Sequence, residues 1–131
     1  MSKFILPVRV YYEDTDAGGV VFHANYLNFL ERARTEYLRS RKVLQSDLTN
    51  KQQLIFVIRS ISIEYLKSAK LDDLLYVSSE ITQLKKASLL FEQNINRDDD
   101  LLCKAQVSVV CVDSQTMRPK LIPDDLIAQF Q

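Results

Sequence analysis

The chain has 131 residues, 47% of them hydrophobic, which is enough for one domain over residues 1–131 with a buried core. Its 17 Lys and Arg residues balance 17 Asp and Glu residues, so no net charge draws the protein to nucleic acid or to an anionic membrane. The first residues lack a secretory signal, and no run approaches the roughly 18 apolar residues that cross a bilayer. We therefore expect a cytoplasmic protein without a transmembrane segment, a description that is compatible with peripheral membrane association.

The predicted elements begin with a strand over residues 4–12, in which Val8, Val10 and Tyr12 share one face. A long helix follows over residues 24–41, because apolar side chains recur there at spacings of three or four residues. Such a helix presents one apolar stripe, which has to be buried against another element.

Alternating apolar and polar residues then predict four antiparallel strands of about ten residues each. In the last of them, every second residue from Leu101 to Cys111 is apolar or a thiol. Cys103 and Cys111 fall on this strand roughly 26 Å apart, too far for a disulfide, so we expect two buried thiols. The sequence therefore predicts an α+β fold in which a five-stranded antiparallel sheet wraps around one long central helix.

The stretch D-T-D-A-G-G-V-V-F-H, residues 14–23, holds both glycines and the only histidine. An EF-hand is excluded, because loop position 5 is Gly18, which has no side-chain ligand, and loop position 12 is Asn25, where calcium needs a bidentate Glu. The sequence also lacks a phosphate-binding loop and the Gly-x-Ser-x-Gly elbow of serine hydrolases. The candidate functional features that remain are a carboxylate, a double-glycine bend and a histidine just before a helix.

These residue types fit acyl chemistry. Asp16 is placed to act as a base or a nucleophile on a carbonyl. The free backbone N–H groups of the helix start, including that of His23, are suited to hold the developing oxyanion. The same residues also have a purely structural interpretation, with Asp16 bonded to turn amides and His23 near the helix cap. A metal-dependent hydrolase that uses Asp14, Asp16 and His23 is a weaker alternative.

The run Y-x-x-D-T-D-A-G-G-V-V-F-H-A-N-Y, followed by F-L-E-R-A-R-T-E, resembles the signature of the 4-hydroxybenzoyl-CoA thioesterase-like hotdog family. It resembles most closely the Tol-Pal-associated acyl-CoA thioesterase subgroup, and the later F-V-I-R-S-I-S-I-E-Y-L-K-S-A-K-L-D-D-L-L also fits. The resemblance implies a hotdog fold and hydrolysis of an acyl-CoA to free acid and CoA. It places the catalytic carboxylate at Asp16 and the subgroup histidine at His23, whose backbone N–H would polarise the thioester carbonyl.

The resemblance also implies a homodimer or homotetramer with the active site between subunits. We expect no metal and no cofactor. The candidate substrate-binding residues are Gly19 at the bend, Arg59, Lys85, Lys86 and Ser88 for the CoA phosphates, and Tyr26, Leu27 and Val57 for the acyl wall. The alternative function is a non-catalytic module that binds acyl carrier protein or an envelope-associated partner. Acyl length, aromatic or aliphatic preference, and the choice between CoA and acyl carrier protein stay open at this point.

Overall fold

The structure is a computed structural model that describes residues 3–131. Its main elements are β1 (Phe4–Arg9), α1 (Asn25–Ser40), β2 (Leu54–Tyr65), β3 (Leu74–Leu84), β4 (Ser88–Arg97) and β5 (Asp100–Asp113). Shorter elements are a 3₁₀ turn (Tyr12–Asp14), α2 (Gln45–Asp47), a π-helical turn (Leu48–Gln52) and α3 (Asp124–Phe130). Within the described residues, no helix is both long and apolar enough to cross a membrane.

The five strands form one antiparallel sheet in the order β1-β3-β4-β5-β2. Strands β3, β4 and β5 follow one another as a meander, whereas β1 and β2 are added at its two edges. The predicted five-stranded antiparallel sheet with one long helix is confirmed.

The long helix α1 buries its apolar stripe against the inner face of this sheet. Its buried apolar residues are Tyr26, Phe29, Leu30, Ala33, Tyr37 and Leu38. They divide between two core clusters, one around the amino-terminal half of α1 and one around its carboxyl-terminal half. Since each large buried side chain contributes roughly 1.5–3 kcal/mol, this stripe accounts for much of the attachment of the helix to the sheet.

A buried polar network joins the middle of α1 to the sheet. Gln93 of β4 is only 1% exposed, and its amide N–H groups donate to the backbone oxygen of Leu30 and to Oγ of Ser79, both at 2.9 Å. Its Oε1 accepts from Nη1 of Arg34 at 3.0 Å. Burial lowers the pKa of Arg34, which has an exposed fraction of 8%. The network satisfies polar groups that would otherwise be costly to bury.

The first strand is shorter than predicted. β1 ends at Arg9, and the chain then leaves the sheet through the 3₁₀ turn, so Tyr12 is 82% exposed and does not share the buried face of Val8 and Val10. The alternation of buried and exposed residues nevertheless extends one residue beyond the strand. Val10 is still buried, and its N–H donates to the backbone oxygen of Asp73 at 2.9 Å. The prediction of strand to residue 12 is therefore wrong by three residues.

The last strand follows the predicted alternation except at one bulge. The register between β4 and β5 shifts between Ile95 and Asn96, which leaves Leu102 as an extra residue. Leu102 is thereby turned into the core, although the alternation predicts it on the outer face. Cys103 and Cys111 are both buried free thiols, as predicted.

Candidate active site

The double-glycine stretch forms a tight bend that projects from the sheet. The N–H of Asp16 donates to the backbone oxygen of Val20 at 2.9 Å, and the N–H of Gly19 donates to that of Asp16 at 3.0 Å. Gly19 has a φ of +80°, a conformation that residues with a Cβ rarely adopt. The predicted tight bend with a positive φ is therefore confirmed at Gly19.

Gly18 serves the carboxylate of Asp16. Its N–H donates to Oδ1 of Asp16 at 2.8 Å, and a Cβ at residue 18 would lie 3.2 Å from that same oxygen. The absence of a side chain at Gly18 thus leaves room for the carboxylate to sit against the backbone. Oδ2 of Asp16 accepts no hydrogen bond from residues 3–131, and the side chain is exposed. Asp16 is therefore oriented by one bond and has an oxygen free for chemistry.

Asp14 has a structural role. It is buried, and its two oxygens accept from the backbone N–H of Tyr11 and from Nδ2 of Asn25, both at 2.8 Å. These bonds tie the 3₁₀ turn to the first residue of α1. In the described part of the chain, no three His, Cys, Asp or Glu side chains are grouped so that they could hold a metal ion.

The start of α1 presents unpaired backbone donors. The helix has Ala24 as its N-cap, which makes no side-chain capping bond. Among residues 3–131, no acceptor pairs with the N–H of His23 or of Ala24, whereas the N–H of Asn25 donates to the backbone oxygen of Phe22. These donors lie at the positive end of the helix dipole, an arrangement that favours a negative charge.

A cavity of about 290 Å³ brings the predicted catalytic residues together. It is lined by Asp16, Val20, Val21, His23, Tyr26, Tyr65, Leu66, Lys67 and Ser68. Asp16, His23 and Tyr26 thus meet at one site, as the motif requires. The sequence analysis missed Tyr65 and residues 66–68, which reach the site from the end of β2.

Aromatic rings surround the His23 side chain. Its ring lies 4.5 Å from that of Phe22 and 6.4 Å from that of Tyr65, measured between centroids. Tyr26 is buried, and its hydroxyl accepts the N–H of Ala69 at 2.9 Å, so its ring is fixed at the back of the cavity. Burial is the main reason that the pKa of Tyr26 is raised, which keeps this phenol neutral.

Apart from Gly19, which lies in the bend beside Asp16 without lining the cavity, the other predicted substrate-binding residues lie elsewhere in the chain. Val57 pairs with Val110, and Val110 pairs with Ser88, so the three form one row on the outer face of the sheet. Arg59 is exposed at a bulge in β2, and Lys85 and Lys86 are exposed in the hairpin that precedes Ser88. Leu27 is exposed and does not line the Asp16 cavity. Within one chain, these residues do not meet Asp16.

A second cavity, of about 130 Å³, lies between α1 and the edge strand β2. Its lining is Glu31, Arg34, Thr35 and Leu38 of α1, Gln45 of α2, Phe56 and Ile58 of β2, Leu89 and Phe91 of β4, and Val109 of β5. Phe56 and Ile58 flank Val57 on the opposite face of the strand, because successive side chains alternate. This cavity, in which apolar side chains lie beside Glu31, Thr35, Gln45 and the buried guanidinium of Arg34, was not predicted from the sequence.

Known proteins resemble this chain in sequence and in fold. A model of the thioesterase-like superfamily matches residues 10–130. The chain belongs to this superfamily. The acyl-CoA thioesterase YbgC of Haemophilus influenzae is 54% identical to this thioesterase over 129 residues, which cover 98% of this chain and 95% of that protein. The acyl-CoA thioester hydrolase YbgC of Escherichia coli O6:H1 is 49% identical over 131 residues, covering 99% and 97% of the two chains.

Solved structures agree on the fold of this thioesterase. A probable thioesterase from Bartonella henselae superposes with a TM-score of 0.89 at 33% identity, over 93% of this chain and all of that one. A thioesterase needs a base or nucleophile, donors for the oxyanion and a binding surface for the acyl group. The Asp16 cavity holds a carboxylate and lies at backbone donors of the helix start, and the cavity beside α1 is lined in part by apolar side chains.

Proposed function

We propose that this thioesterase hydrolyses an acyl-CoA to the free acid and CoA at the Asp16–His23 cavity. The observation that carries the proposal is an exposed carboxylate that shares one cavity with the start of a helix whose first N–H groups have no acceptor in residues 3–131. The substrate class is supported by the relatives at 49–54% identity, which are named as acyl-CoA thioesterase and acyl-CoA thioester hydrolase. Those names do not favour the non-catalytic alternative.

In the proposed mechanism, Asp16 acts as general base on a water molecule or attacks the carbonyl carbon itself. Both routes form a C–O bond, move an electron pair onto the carbonyl oxygen and reach a tetrahedral oxyanion. The backbone N–H of His23 stabilises that oxyanion together with the positive end of α1. The intermediate then collapses, the C–S bond breaks, and CoA leaves as its thiolate. On the general-base route, the proton that Asp16 took from water passes to this thiolate. On the nucleophilic route, the acyl group stays on Asp16 as a mixed anhydride, and a water molecule hydrolyses it to the free acid and the free carboxylate.

The proposed active unit is a homodimer joined along β2, from which a tetramer would be built. β2 is a twelve-residue edge strand whose inner face exposes Ile58 (42%) and Ile61 (38%). Unpaired edge strands of this kind pair readily with a second chain. The opposite edge, β1, has only six residues and contains Pro7, which removes a hydrogen-bond donor.

Such a dimer would complete the site. In an antiparallel pairing of two β2 strands, the Tyr65 end of one strand lies beside the Leu54 end of the other. The cavity beside α1 of one subunit, the row of Val57, Val110 and Ser88, and Arg59 at the bulge next to it then approach Asp16 of the neighbour. This arrangement gives the acyl group an apolar cavity and the CoA phosphates the cations Arg59, Lys85 and Lys86, with Ser88 as a further donor.

The test of this function is thiol release from a panel of acyl-CoA thioesters of different chain lengths. We expect Asp16→Asn to lower turnover at least a hundredfold, the usual scale for a general base or nucleophile, without unfolding the protein. Asp98→Asn, in the exposed turn between β4 and β5, is the matched control and should keep full activity. Full activity of Asp16→Asn, or no thiol release by the wild type on any thioester, would show that the proposal is wrong.

A further inference from the structure

Tyr65 contributes a hydroxyl to the Asp16 cavity that the mechanism above does not use. It is the last residue of β2, and its Oη donates to the backbone oxygen of His23 at 3.0 Å, across 42 residues of sequence. Its ring stands edge-on to the rings of His23 and Tyr26, with centroid distances of 6.4 and 5.4 Å. The phenol is thus held between two residues of the proposed site.

This hydrogen bond is not needed to satisfy the phenol. Tyr65 is 45% exposed, so its hydroxyl could bond to solvent instead. Its pKa is raised, chiefly by burial of part of the ring, so the phenol keeps its proton and stays a donor around neutral pH. The hydroxyl nevertheless binds one backbone carbonyl, and no other group in residues 3–131 donates to that carbonyl.

The carbonyl of His23 belongs to the same rigid unit as the N–H of Ala24. The peptide between them is planar and trans, so its C=O and N–H point in opposite directions. A bond that fixes the carbonyl therefore also fixes the N–H. That N–H has no acceptor within the described residues, and neither has the N–H of His23, one position earlier. Two successive backbone donors at the helix start are thus free.

We propose that Tyr65 is a positioning residue, whose hydroxyl holds the His23 carbonyl and so fixes the backbone at the start of α1 with the His23 N–H directed at the oxyanion. The inference rests on the proposed function of the Asp16 cavity. Tyr65 transfers no proton; the carbonyl oxygen gains an electron pair when the C–O bond forms and returns it when the C–S bond breaks.

The experiment compares Tyr65→Phe with the wild type on an acyl-CoA that the wild type hydrolyses. We expect kcat to fall about tenfold and KM to change less than twofold, because loosening a donor costs less than removing one, which costs about a hundredfold or more. The amide resonance of Ala24 should shift in the variant, while the thermal midpoint stays near that of the wild type. Tyr76→Phe, on the outer face of β3, is the matched control and should keep wild-type kcat.

A second variant replaces Tyr65 by 3,5-difluorotyrosine, which keeps the ring and the hydroxyl but ionises near neutral pH. Because a phenolate cannot donate, kcat of this variant should be lost as the pH rises through that ionisation, in a range where the wild type is unaffected. Wild-type kcat in Tyr65→Phe, or the same pH profile in both proteins, would overturn the inference. If Asp16→Asn is inactive while Tyr65→Phe is fully active, only the role of Tyr65 is wrong; if Asp16→Asn is active, the proposed function itself fails.

Discussion

The two adjacent glycines meet different physical requirements. Gly19 has a φ of +80°, and a Cβ added there would meet no atom within 4 Å, so its requirement is conformational. Gly18 has an ordinary φ, but its Cβ would lie 3.2 Å from Oδ1 of Asp16, so its requirement is space beside the carboxylate. One glycine thus shapes the bend, and the other accommodates the side chain that the bend presents.

This difference predicts that one alanine variant loses stability and the other loses activity. Gly19→Ala should lower the free energy of unfolding by about 1 kcal/mol, because a Cβ disfavours the left-handed conformation. Gly18→Ala should leave stability unchanged but lower kcat roughly tenfold, since a Cβ at residue 18 would push the proposed catalytic carboxylate of Asp16 out of alignment. Urea unfolding measures the change in stability, and thioester hydrolysis measures the change in kcat. If both variants lost stability and kcat to the same extent, this account would be contradicted.

At the scale of elements, the attachment of α1 to the sheet depends on Gln93 as well as on apolar contacts. Gln93 bonds to α1 through the Leu30 carbonyl and the Arg34 guanidinium, and to β3 through Ser79. A guanidinium that is nine-tenths buried loses its solvation, so it needs such a partner. Because Arg34 also lines the cavity beside α1, the network sets the position of a charge in that cavity.

Gln93→Leu should therefore be strongly destabilising. The change keeps the volume but removes the partner of a buried cation, for which we expect a loss of about 2–4 kcal/mol in the free energy of unfolding. Gln106→Leu is the matched control, because Gln106 lies on the exposed face of β5 and its side chain bonds, among residues 3–131, only to Glu92, at 3.2 Å. Its loss should stay below about 0.5 kcal/mol. Equal losses in the two variants, measured by urea unfolding, would show that the buried network has no special role.

The elements themselves were largely predictable, because α1 and β2 to β5 each have a long and clear hydrophobic period. The prediction of strand ends and side-chain orientation failed where tertiary packing departs from the alternating hydrophobic pattern. β1 ends at Arg9 because the chain leaves the sheet there for the 3₁₀ turn. The bulge next to Asn96 moves the side chain of Leu102 from the outer face of the sheet into the core. Helix α3 was not predicted, although Leu126 and Phe130 have helical spacing, because seven residues give a weak period.

The site was predictable only where it is local in sequence. Asp16, Gly19 and His23 lie within one motif, and the structure places Asp16 and His23 at one cavity. Tyr65 and Arg34 were missed because their roles depend on which strand ends beside α1 and which side chains close the cavity under it. Those relations are tertiary, and no single stretch of sequence carries them.

At the scale of the whole molecule, the exposed apolar face of β2 predicts that the active species is a dimer. Ile61→Lys places a charge in the middle of this edge, so we expect it to yield monomers whose kcat falls at least tenfold, since each site would lose its neighbour. Ile5→Lys, on the opposite edge strand, is the control and should remain dimeric and active. Sedimentation velocity and thioester hydrolysis test this together; a dimeric Ile61→Lys variant, or a fully active monomer, would contradict it.

The two buried cysteines affect how all of these variants can be compared. Both thiols are inaccessible in the folded chain, and burial raises the pKa of Cys103 to about 12, so almost no thiolate forms there at neutral pH. A disulfide reagent that detects the CoA thiol will therefore detect little from folded protein, whereas each unfolded chain will add two reactive groups. In one assay with this reagent, the steady rise in absorbance therefore measures turnover, and the rapid initial rise measures the fraction of unfolded protein.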